Sequence, residues 1–175
     1  MHDDIAKIRK DYKKYQLLET NIDKNPFTQF GIWLDEAIKA KIDEPTAMTL
    51  ATVSTKGFPT ARIVLLKAYD EKGFVFFTNY ESRKGRHLRK NPNAALVFFW
   101  KELERQVRIE GIVEKVSKKE SDAYFASRPI ESQISACISE QSAVIPDRNF
   151  LEMMLQMFLK KKSDKPIERS ENWGG

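Results

Sequence analysis

The stretch RIVLLKAYDEKGFVFFTNYESRK, residues 62–84, decides how the rest of the chain is interpreted. It contains two apolar runs, Ile63 to Leu66 and Phe74 to Phe77, and the second begins just after the sequence DEKG at 70–73. A glycine closing such a polar tetrapeptide favours a tight turn, and two β-rich runs joined by a turn are typical of a hairpin. The stretch therefore predicts two antiparallel strands.

Cationic side chains stand at both ends of this predicted hairpin: Arg62 and Lys67 on the first run, Arg83 and Lys84 after the second. Ser82 is a candidate N-cap, which places Arg83 and Lys84 in the first turn of a helix. A helix N-terminus already carries partial positive charge, so cations there are favourable when an anion is bound beside them. The pattern predicts a site for a phosphorylated ligand with a flat body.

Composition limits the class of protein. The chain has 175 residues, 41% of them apolar, which is enough for one domain with its own core. The formal net charge of +5 suits anionic partners, but it is spread over a chain with 25 acidic residues and does not demand nucleic acid. Cys137 is the single cysteine, which excludes an internal disulfide and favours a reducing, cytoplasmic location. No Cys/His spacing predicts a metal site, and no apolar run approaches the ~20 residues of a membrane span.

The period of the apolar residues changes from helical to β and back along the chain. A thin apolar stripe predicts a helix over 4–16 within an N-terminal flap at 1–20, and Asn25-Pro26 begins a stronger helix over 26–40. Strands are then predicted at Met48 to Ser54, Thr60 to Ala68, Phe74 to Asn79, Ala94 to Trp100 and Arg105 to Val116. Further helices are predicted for 83–90, from Ser117 to about Ala126, for 130–138 and after Asp147, where Lys160 to Lys162 end the helix, with loop at 163–175.

Five strands joined mostly by short turns favour an antiparallel barrel over a parallel sheet. With the helices at both ends, the fold class is mainly β with flanking helices, that is α+β. The whole of 1–175 is predicted to form a single domain.

Eight short motifs, taken in order, resemble the pyridoxine/pyridoxamine 5′-phosphate oxidase family, whose members are FMN enzymes built on an antiparallel split β-barrel. The motifs cover nearly the whole chain, and although any one of them is weak, eight in family order are specific. They are RIVLLK (62–67), FTN (77–79), SRK (82–84), ERQV (104–107), YFASRP (124–129), SQI (132–134), QS (141–142) and NWGG (172–175).

The resemblance implies a flavin site made from several of these motifs. In the family, the run matching 62–67 lies along the FMN, with the position of Arg62 near the cofactor phosphate and that of Lys67 reaching toward the substrate phosphate. Some site residues come from the second subunit of a homodimer, with FMN at the interface. The implied cofactor-binding residues are Arg62, Ile63, Val64, Leu65, Leu66, Lys67, Phe77, Thr78, Arg83, Lys84, Gln106, Gln141 and Ser142.

The resemblance also implies a reaction, the oxidation of pyridoxine or pyridoxamine 5′-phosphate to pyridoxal 5′-phosphate. A hydride equivalent passes to FMN, and dioxygen reoxidises the flavin to give hydrogen peroxide. Because the cofactor carries the electron transfer, no side chain is predicted to be catalytic in its own right, and no metal, nucleic acid or membrane is implied as a partner. The implied substrate-binding residues, from the flap and the substrate phosphate site, are Arg9, Lys10, Asp11, Tyr12, Lys67, Tyr124, Arg128 and Ser132.

Residue spacing bears on two of these implications. Tyr124 and Arg128 are four residues apart, so they share a helix face if the helix persists to Arg128. With Ser132 close behind, a phenol, a guanidinium and a hydroxyl could converge on one phosphate. Arg62 and Lys67 are an odd number of residues apart, which places them on opposite faces of a regular strand. Either a bulge intervenes or the two serve different sites.

The chain departs from the family pattern at its end. Family members continue past the segment matching Trp173 to Gly175 into further strands that line both the flavin and the substrate pockets. One interpretation is a truncated or partly observed chain, and the other is a shortened homologue with altered function. The retention of every upstream site residue favours the first.

Three classes of function follow from the sequence. The first is the oxidase, and the second is a non-catalytic split barrel that binds FMN or pyridoxal phosphate, with a flavin reductase of the same fold as a related alternative. The third is a nucleic-acid binder that uses RKGRHLRK at 83–90 as a basic patch. That patch has no interleaved aromatic residues for base stacking. The sequence favours the oxidase and leaves open which of the two substrates is preferred.

Overall fold

A computed structural model describes residues 4–161 and 165–175. The strands are β1 (Ala47–Val53), β2 (Pro59–Leu65), β3 (Ala68–Asp70), β4 (Gly73–Val75), β5 (Thr78–Asn79), β6 (Asn93–Trp100), β7 (Arg105–Ile112) and β8 (Trp173–Gly174). The helices are α1 (Pro26–Lys39), α2 (Arg83–Lys90), α3 (Lys118–Ser127), α4 (Ile130–Ile138) and α5 (Arg148–Lys161). No helix within these described ranges is long and apolar enough to cross a membrane.

Four strands form a central antiparallel sheet in the order β2-β1-β6-β7. Leu50 of β1 marks its register, because it lies opposite Arg62 of β2 on one side and Leu96 of β6 on the other. Two antiparallel ribbons, β3-β4 and β5-β8, complete the strand pairing. The antiparallel α+β class predicted from the sequence is confirmed.

One face of the central sheet carries the hydrophobic core. Alternate residues of β1 and β6 are buried on it, and α1 covers it with Phe30, Leu34 and Ala37. The helix begins where predicted, because the Asn25 side-chain oxygen accepts a backbone N–H of the first turn at 2.8 Å and Pro26 occupies the first helical position. Burial of each large apolar side chain there contributes about 2 kcal/mol.

The opposite face of the sheet, which we call the open face, has small apolar residues at its centre and polar residues along β7. Ala51 of β1 lies between Ala61 of β2 and Ala95 of β6, while Ile63 and Phe99 are 62% and 54% exposed. Residues directly opposite in antiparallel strands share a face. The open face therefore comprises Thr49, Ala51, Val53, Ala61, Ile63, Ala95, Val97, Phe99, Gln106, Arg108 and Glu110.

The hairpin predicted within 62–84 is smaller than expected. The first apolar run belongs to β2 and pairs with β1, so the prediction that it pairs with the run from Phe74 was wrong. The hairpin is formed instead by β3 and β4, with Ala68 opposite Val75. Asp70 organises its turn by accepting the backbone N–H of Lys72 at 2.8 Å.

Several predicted strands are shorter in the structure. The strand predicted from Thr60 to Ala68 stops at Leu65, and that from Phe74 to Asn79 is divided into β4 and β5. The division falls where Phe76 enters the core at 8% exposure while Phe77 stacks on aromatic rings elsewhere. The prediction that β7 reaches Val116 was also wrong, since the ladder ends at Ile112.

The helix predicted over 4–16 was wrong. A single 3-10 turn at Ile5–Lys7 is followed by irregular chain up to a second turn at Glu19–Asn21. Long-range contacts replace helical hydrogen bonds: the Lys14 backbone N–H donates to Glu104 Oε2 at 2.9 Å, and its Nζ donates to the Glu102 carbonyl at 2.6 Å. A thin apolar stripe buries too little surface to hold a short helix.

Other helix predictions fit closely. Ser117 caps α3 by accepting the Glu120 N–H at 3.1 Å, and Asp147 accepts the Phe150 N–H at 2.9 Å at the start of α5. Of the basic run predicted to end the last helix, Lys162 lies outside the described residues. The loop predicted for 163–175 was wrong at Trp173–Gly174, which pair with β5 as β8; its residues 163 and 164 also lie outside the described part.

Candidate functional site

Arg62 is held rigidly at the edge of the core, between β1 and β2. Its Nη1 donates to the Leu50 carbonyl at 2.9 Å and to Thr52 Oγ1 at 2.8 Å, and its Nη2 donates to Thr60 Oγ1 at 2.6 Å. All of these acceptors are uncharged. The guanidinium is therefore fixed in position without its charge being neutralised.

Lys84 lies in the first turn of α2 and is only 9% exposed. Its Nζ donates to Thr78 Oγ1 at 3.0 Å, to Ser82 Oγ at 3.2 Å and to Gln141 Oε1 at 2.7 Å. Ser82 is also the predicted N-cap of α2, since its Oγ accepts the Gly85 N–H at 3.3 Å. As with Arg62, every partner of this cation is neutral.

Arg62, Arg83 and Lys84 form what we call the cation cluster. Burial, and after it the charge of Arg62, lowers the pKa of Lys84 to about 8. Burial, and after it the charge of Arg83, lowers the pKa of Arg62. In the part of the chain that the structure describes, no ion pair joins any of the three to a carboxylate. Neighbouring cations without counter-charges are the signature of an anion site.

His87 lies one turn further along α2 and touches the same scaffold. Its Nδ1 is 3.2 Å from Thr52 Oγ1 and 3.3 Å from Thr60 Oγ1. Its pKa is lowered by burial first, and then by the positive charges of Arg83, Arg62 and Arg86. The imidazole is therefore neutral at pH 7.

A second group of site residues is aromatic. Phe77 stacks on Tyr124 with ring centroids 3.9 Å apart and on Trp173 at 5.5 Å, and we call these three rings the aromatic cluster. The Arg128 guanidinium carbon lies 4.6 Å from the centre of the Trp173 ring, within cation–π range. Arg128 Nη1 is buried and has no hydrogen-bond partner among the described residues. A buried N–H without an acceptor is costly, so this atom is suited to a ligand oxygen.

Tyr124 and Arg128 come together for a different reason from the one their spacing suggests. α3 ends at Ser127, and Arg128 follows as its C-cap with extended backbone, so the condition that the helix persists to Arg128 is not met. Both side chains instead lie against Trp173, whose ring is 6.1 Å from that of Tyr124. Ser132 stands half-buried in the first turn of α4. Gln133 joins that turn to α3 by donating to the Arg128 carbonyl at 2.8 Å.

The cation cluster and the aromatic cluster meet at β5 and at Phe77, the residue just before it. Phe77 and Thr78 are consecutive, yet Phe77 belongs to the aromatic cluster while Thr78 contacts Lys84. Gln141 joins the cation cluster through Lys84, and the exposed Ser142 follows it with a left-handed φ of 73°.

Other predicted site residues lie elsewhere. Gln106 is on the open face opposite Phe99, beside the turn between β6 and β7. Lys67 is exposed beyond the end of β2, so the strand-face argument about its spacing from Arg62 does not apply; its backbone N–H donates to Val75 at 2.8 Å. In the apolar run, Ile63 is on the open face, Val64 and Leu65 are half-buried, and Leu66 is in the core.

The predicted flap residues are not near the cation cluster. Lys10 pairs with Glu104 at 3.2 Å, Asp11 pairs with Lys13 at 2.9 Å, and Arg9 Nε donates to a neighbouring carbonyl at 3.2 Å. Tyr12 is 63% exposed. Glu104 belongs to the turn between β6 and β7, which the strand register places at the opposite end of the sheet from Thr52 and Thr60.

A cavity of about 760 Å³ lies beside the cation cluster, between β4, α2 and the chain after β7. It is lined by Thr78 and Gly85, but by none of Arg62, Lys84 or Arg128. The candidate site is therefore defined by its side chains and not by this cavity. Within 4–161 and 165–175, no group of three His, Cys, Asp or Glu side chains is placed to hold a metal ion.

Sequence reasoning did not assign a site role to four residues that the structure brings in: Thr52, Thr60, His87 and Trp173. The two threonines lie opposite each other in the β1–β2 register, which a hairpin prediction over β1 and β2 would have revealed. His87 follows Lys84 and Arg83 by three and four residues, which is one face of a helix. For Trp173 the only signal was its motif.

Known proteins resemble the chain over most of its length. The sequence model of the pyridoxamine 5′-phosphate oxidase family matches residues 34–160. Among curated proteins, the pyridoxine/pyridoxamine 5′-phosphate oxidase of Trichormus variabilis is 55% identical over 171 residues, covering 98% of this chain and 80% of the relative. That of Burkholderia thailandensis is 54% identical, with coverage of 98% and 79%.

Solved structures support the fold. PhzG from Burkholderia lata, in complex with tetrahydrophenazine-1-carboxylic acid, superposes with a TM-score of 0.83 at 26% identity, covering 93% of this chain and 81% of PhzG. A pyridoxamine 5′-phosphate oxidase-related, FMN-binding protein from Nostoc punctiforme superposes with a TM-score of 0.65 at 16% identity, covering 87% and 79%. The predicted split barrel with flanking helices is thereby confirmed. By both its sequence and its fold, the chain belongs to the pyridoxamine 5′-phosphate oxidase family.

Proposed function

We propose that this protein is an FMN-dependent oxidase that converts pyridoxine 5′-phosphate or pyridoxamine 5′-phosphate to pyridoxal 5′-phosphate. Dioxygen is the electron acceptor, and hydrogen peroxide is the reduced product. The observation that carries the proposal is the cation cluster, in which neutral acceptors fix Arg62 and Lys84 and no carboxylate of the described chain pairs with any of the three cations. The relatives at 54–55% identity are oxidases named for the same pair of substrates.

The residues present fit a flavin phosphate. Arg62, Arg83 and Lys84 would hold its oxygens, and Thr78 and Gln141 keep the Lys84 ammonium in place. When bound, FMN supplies two-electron redox chemistry that no side chain of the chain can perform. The chain's own contribution is to bind and orient the reactants.

A separate set of residues suits the phosphate of the substrate. The unpartnered Nη1 of Arg128 is a ready donor, and the guanidinium carbon lies 4.6 Å from the centre of the Trp173 ring. Tyr124 and Ser132 add hydroxyl groups from α3 and α4. Phe77 of the aromatic cluster and Thr78 beside Lys84 are adjacent in the chain, and we propose that one flat substrate lies against one flat cofactor between the two groups, which is the positioning that catalysis needs.

We further propose that the protein is a homodimer in which the open face is the interface. Ala51, Ala61 and Ala95 make the centre of that face flat, and Ile63 and Phe99 expose large apolar surfaces on it. Exposed apolar surface of this kind marks association sites. Gln106 lies on the same face, so a role for it in the flavin site would be fulfilled in the partner's site.

The first test is a titration of the flavin-free chain with FMN, followed by quenching of flavin fluorescence, with riboflavin as the ligand that lacks the phosphate. We expect saturable FMN binding and much weaker riboflavin binding. Lys84→Met should remove this preference, whereas the matched control Lys90→Met, an exposed lysine at the other end of α2, should retain it. Equal affinity for both flavins would contradict the assignment of the cation cluster.

Turnover then separates the alternatives. Production of peroxide and pyridoxal 5′-phosphate from either substrate supports the oxidase. Flavin binding without peroxide supports a non-catalytic flavoprotein, and consumption of reduced nicotinamide supports a flavin reductase. If FMN does not bind at all, the proposal is wrong.

A further inference from the structure

We propose that His87 is a positioning residue, which fixes the guanidinium of Arg62 through the hydroxyl of Thr52 without touching the ligand itself. The hydroxyls of Thr52 and Thr60 both lie between the imidazole and the guanidinium. The inference rests on the proposed function in one respect, namely that the anion held by Arg62 is a flavin phosphate.

The direction of each hydrogen bond follows from what Arg62 can do. A guanidinium only donates, so Thr52 Oγ1 and Thr60 Oγ1 both accept from it, at 2.8 Å and 2.6 Å. Each hydroxyl can then donate its one hydrogen to another acceptor. Thr60 can direct its proton to the Thr52 carbonyl at 3.4 Å, but Thr52 is 1% exposed and has no access to water. The acceptor nearest to the Thr52 hydroxyl is Nδ1 of His87, at 3.2 Å.

This role requires an unprotonated Nδ1. The charged groups that face the imidazole are Arg62 from β2 and Arg83 and Arg86 from its own helix, and all are positive. Together with burial they lower the pKa of His87, which keeps the ring neutral at pH 7. The hydrogen atom of the neutral ring is then on Nε2, and the lone pair on Nδ1 is free to accept.

The consequence is a fixed orientation for Arg62. With its proton directed to His87, the Thr52 hydroxyl presents its lone pairs to the guanidinium. Without that acceptor, the proton turns to Thr60 Oγ1, 3.3 Å away, which already accepts from Arg62. An arginine held in one rotamer loses less entropy when it binds a phosphate. His87 should therefore contribute to affinity for the flavin phosphate and not to affinity for the isoalloxazine ring.

The test compares two variants with two ligands. His87→Leu removes the acceptor but favours helix formation, so α2 is retained. His87→Asn keeps an acceptor, because its Oδ1 lies close to the position of Nδ1. We expect His87→Leu to weaken FMN binding about fivefold, the effect of one hydrogen bond, with riboflavin affinity unchanged. His87→Asn should bind FMN within about twofold of the wild type.

A double-mutant cycle tests whether His87 acts on FMN binding through Arg62. In an Arg62→Met background, His87→Leu should cause no further loss of FMN affinity, because the group that it positions is gone. A further fivefold loss in that background would overturn the inference, since His87 would then act independently of Arg62. An equal loss of FMN and riboflavin affinity in His87→Leu alone would also overturn it, because this is the effect of a merely structural role.

A measurement on the flavin-free chain keeps the inference separate from the proposed function. Nitrogen NMR of the imidazole at pH 7 should find Nδ1 unprotonated and Nε2 protonated, and Arg62→Met should raise the pKa of His87. The only other histidine in the sequence is His2, so assignment is simple. A protonated Nδ1 would overturn the inference even if FMN binds, and a chain that fails to bind FMN but has this tautomer would overturn the function alone.

Discussion

Lys84 should make the flavin-free protein less stable than it would be with an apolar residue at this position. Its ammonium is 9% exposed, and its pKa is about 8 against an ordinary value of 10.5. Each pKa unit corresponds to about 1.4 kcal/mol, so holding the charged form in this place costs about 3 kcal/mol. Lys84→Met removes that cost together with three hydrogen bonds to neutral groups, and we expect a net gain of about 2 kcal/mol in the free energy of unfolding at pH 7.

The lowered pKa of Lys84 also predicts how the free energy of unfolding changes with pH. Between pH 8 and 10.5 the unfolded chain retains a proton on Lys84 that the folded chain has released. Stability of the wild type should therefore rise with pH in this window, because the unfolded state binds more protons. Below about pH 8 the full cost is present, and above about pH 10.5 it is gone. Lys84→Met should lack this rise, so its advantage of about 2 kcal/mol at pH 7 should shrink through the window and give way to a deficit of about 1 kcal/mol near pH 10.5, where the neutral amine retains its hydrogen bonds without the cost of the charge.

Urea unfolding of both flavin-free proteins from pH 6.5 to 10.5 measures the effect, and Lys90→Met is the matched control. The same curves with FMN should reverse the order at pH 7, because FMN binds the protein that retains the cation more tightly and therefore stabilises it more. The reasoning would be refuted if Lys84→Met were less stable than the wild type at pH 7, or if both proteins followed the same pH dependence.

Three further predictions concern other parts of the molecule. Gly85→Ala should destabilise by about 2 kcal/mol in urea unfolding, because a Cβ would lie 2.1 Å from the Tyr80 carbonyl oxygen, whereas Gly111→Ala, with nothing within 4 Å, should not. Arg128→Ala should raise the KM for the phosphorylated substrate about thirtyfold and leave FMN affinity unchanged, the loss expected for a charged hydrogen bond. Val97→Glu on the open face should convert a dimer to a monomer in analytical ultracentrifugation, and the exposed-turn control Lys56→Glu should not.

Each of these has a contrary result. Equal destabilisation by both alanine substitutions would show that the space around Gly85 adapts. Equal loss of substrate and flavin affinity in Arg128→Ala would remove Arg128 from the substrate site. A Val97→Glu protein that remains dimeric would place the interface elsewhere.

Features determined by a few neighbouring residues were predictable from the sequence. The helix start at Asn25-Pro26 and the cap at Ser82 both stand where the residue types require, and the second places Arg83 and Lys84 in the first turn of α2. Helix caps depend on hydrogen bonds that span three residues, so the sequence alone contains them. The existence of the four strands of the central sheet was equally accessible, because the period-2 pattern is local.

Features that depend on distant partners were not predictable in this way. The strand predicted from Phe74 to Asn79 is interrupted between β4 and β5 because Phe76 is buried in the core while Phe77 stacks on Tyr124. No local sequence pattern specifies these two environments. The irregular N-terminal segment follows its contacts with Glu102 and Glu104, about ninety residues away. Tyr124 and Arg128 were grouped on the strength of a shared helix face that the structure does not contain, and they both lie against Trp173 instead.

The neutral surroundings of the cation cluster explain why the same residues weaken the fold and suit a phosphate. The chain has 25 acidic residues, yet Arg62 and Lys84 are held by carbonyls, hydroxyls and an amide. A carboxylate at any of these positions would pair with the cations and stabilise the flavin-free protein, but it would also compete with the ligand for the same donors. Neutral acceptors fix the geometry and leave the charge unsatisfied, so that the electrostatic gain is realised only when the anion arrives. His87 fits this arrangement, because an imidazole kept neutral by its cationic neighbours supplies an acceptor without supplying a counter-charge.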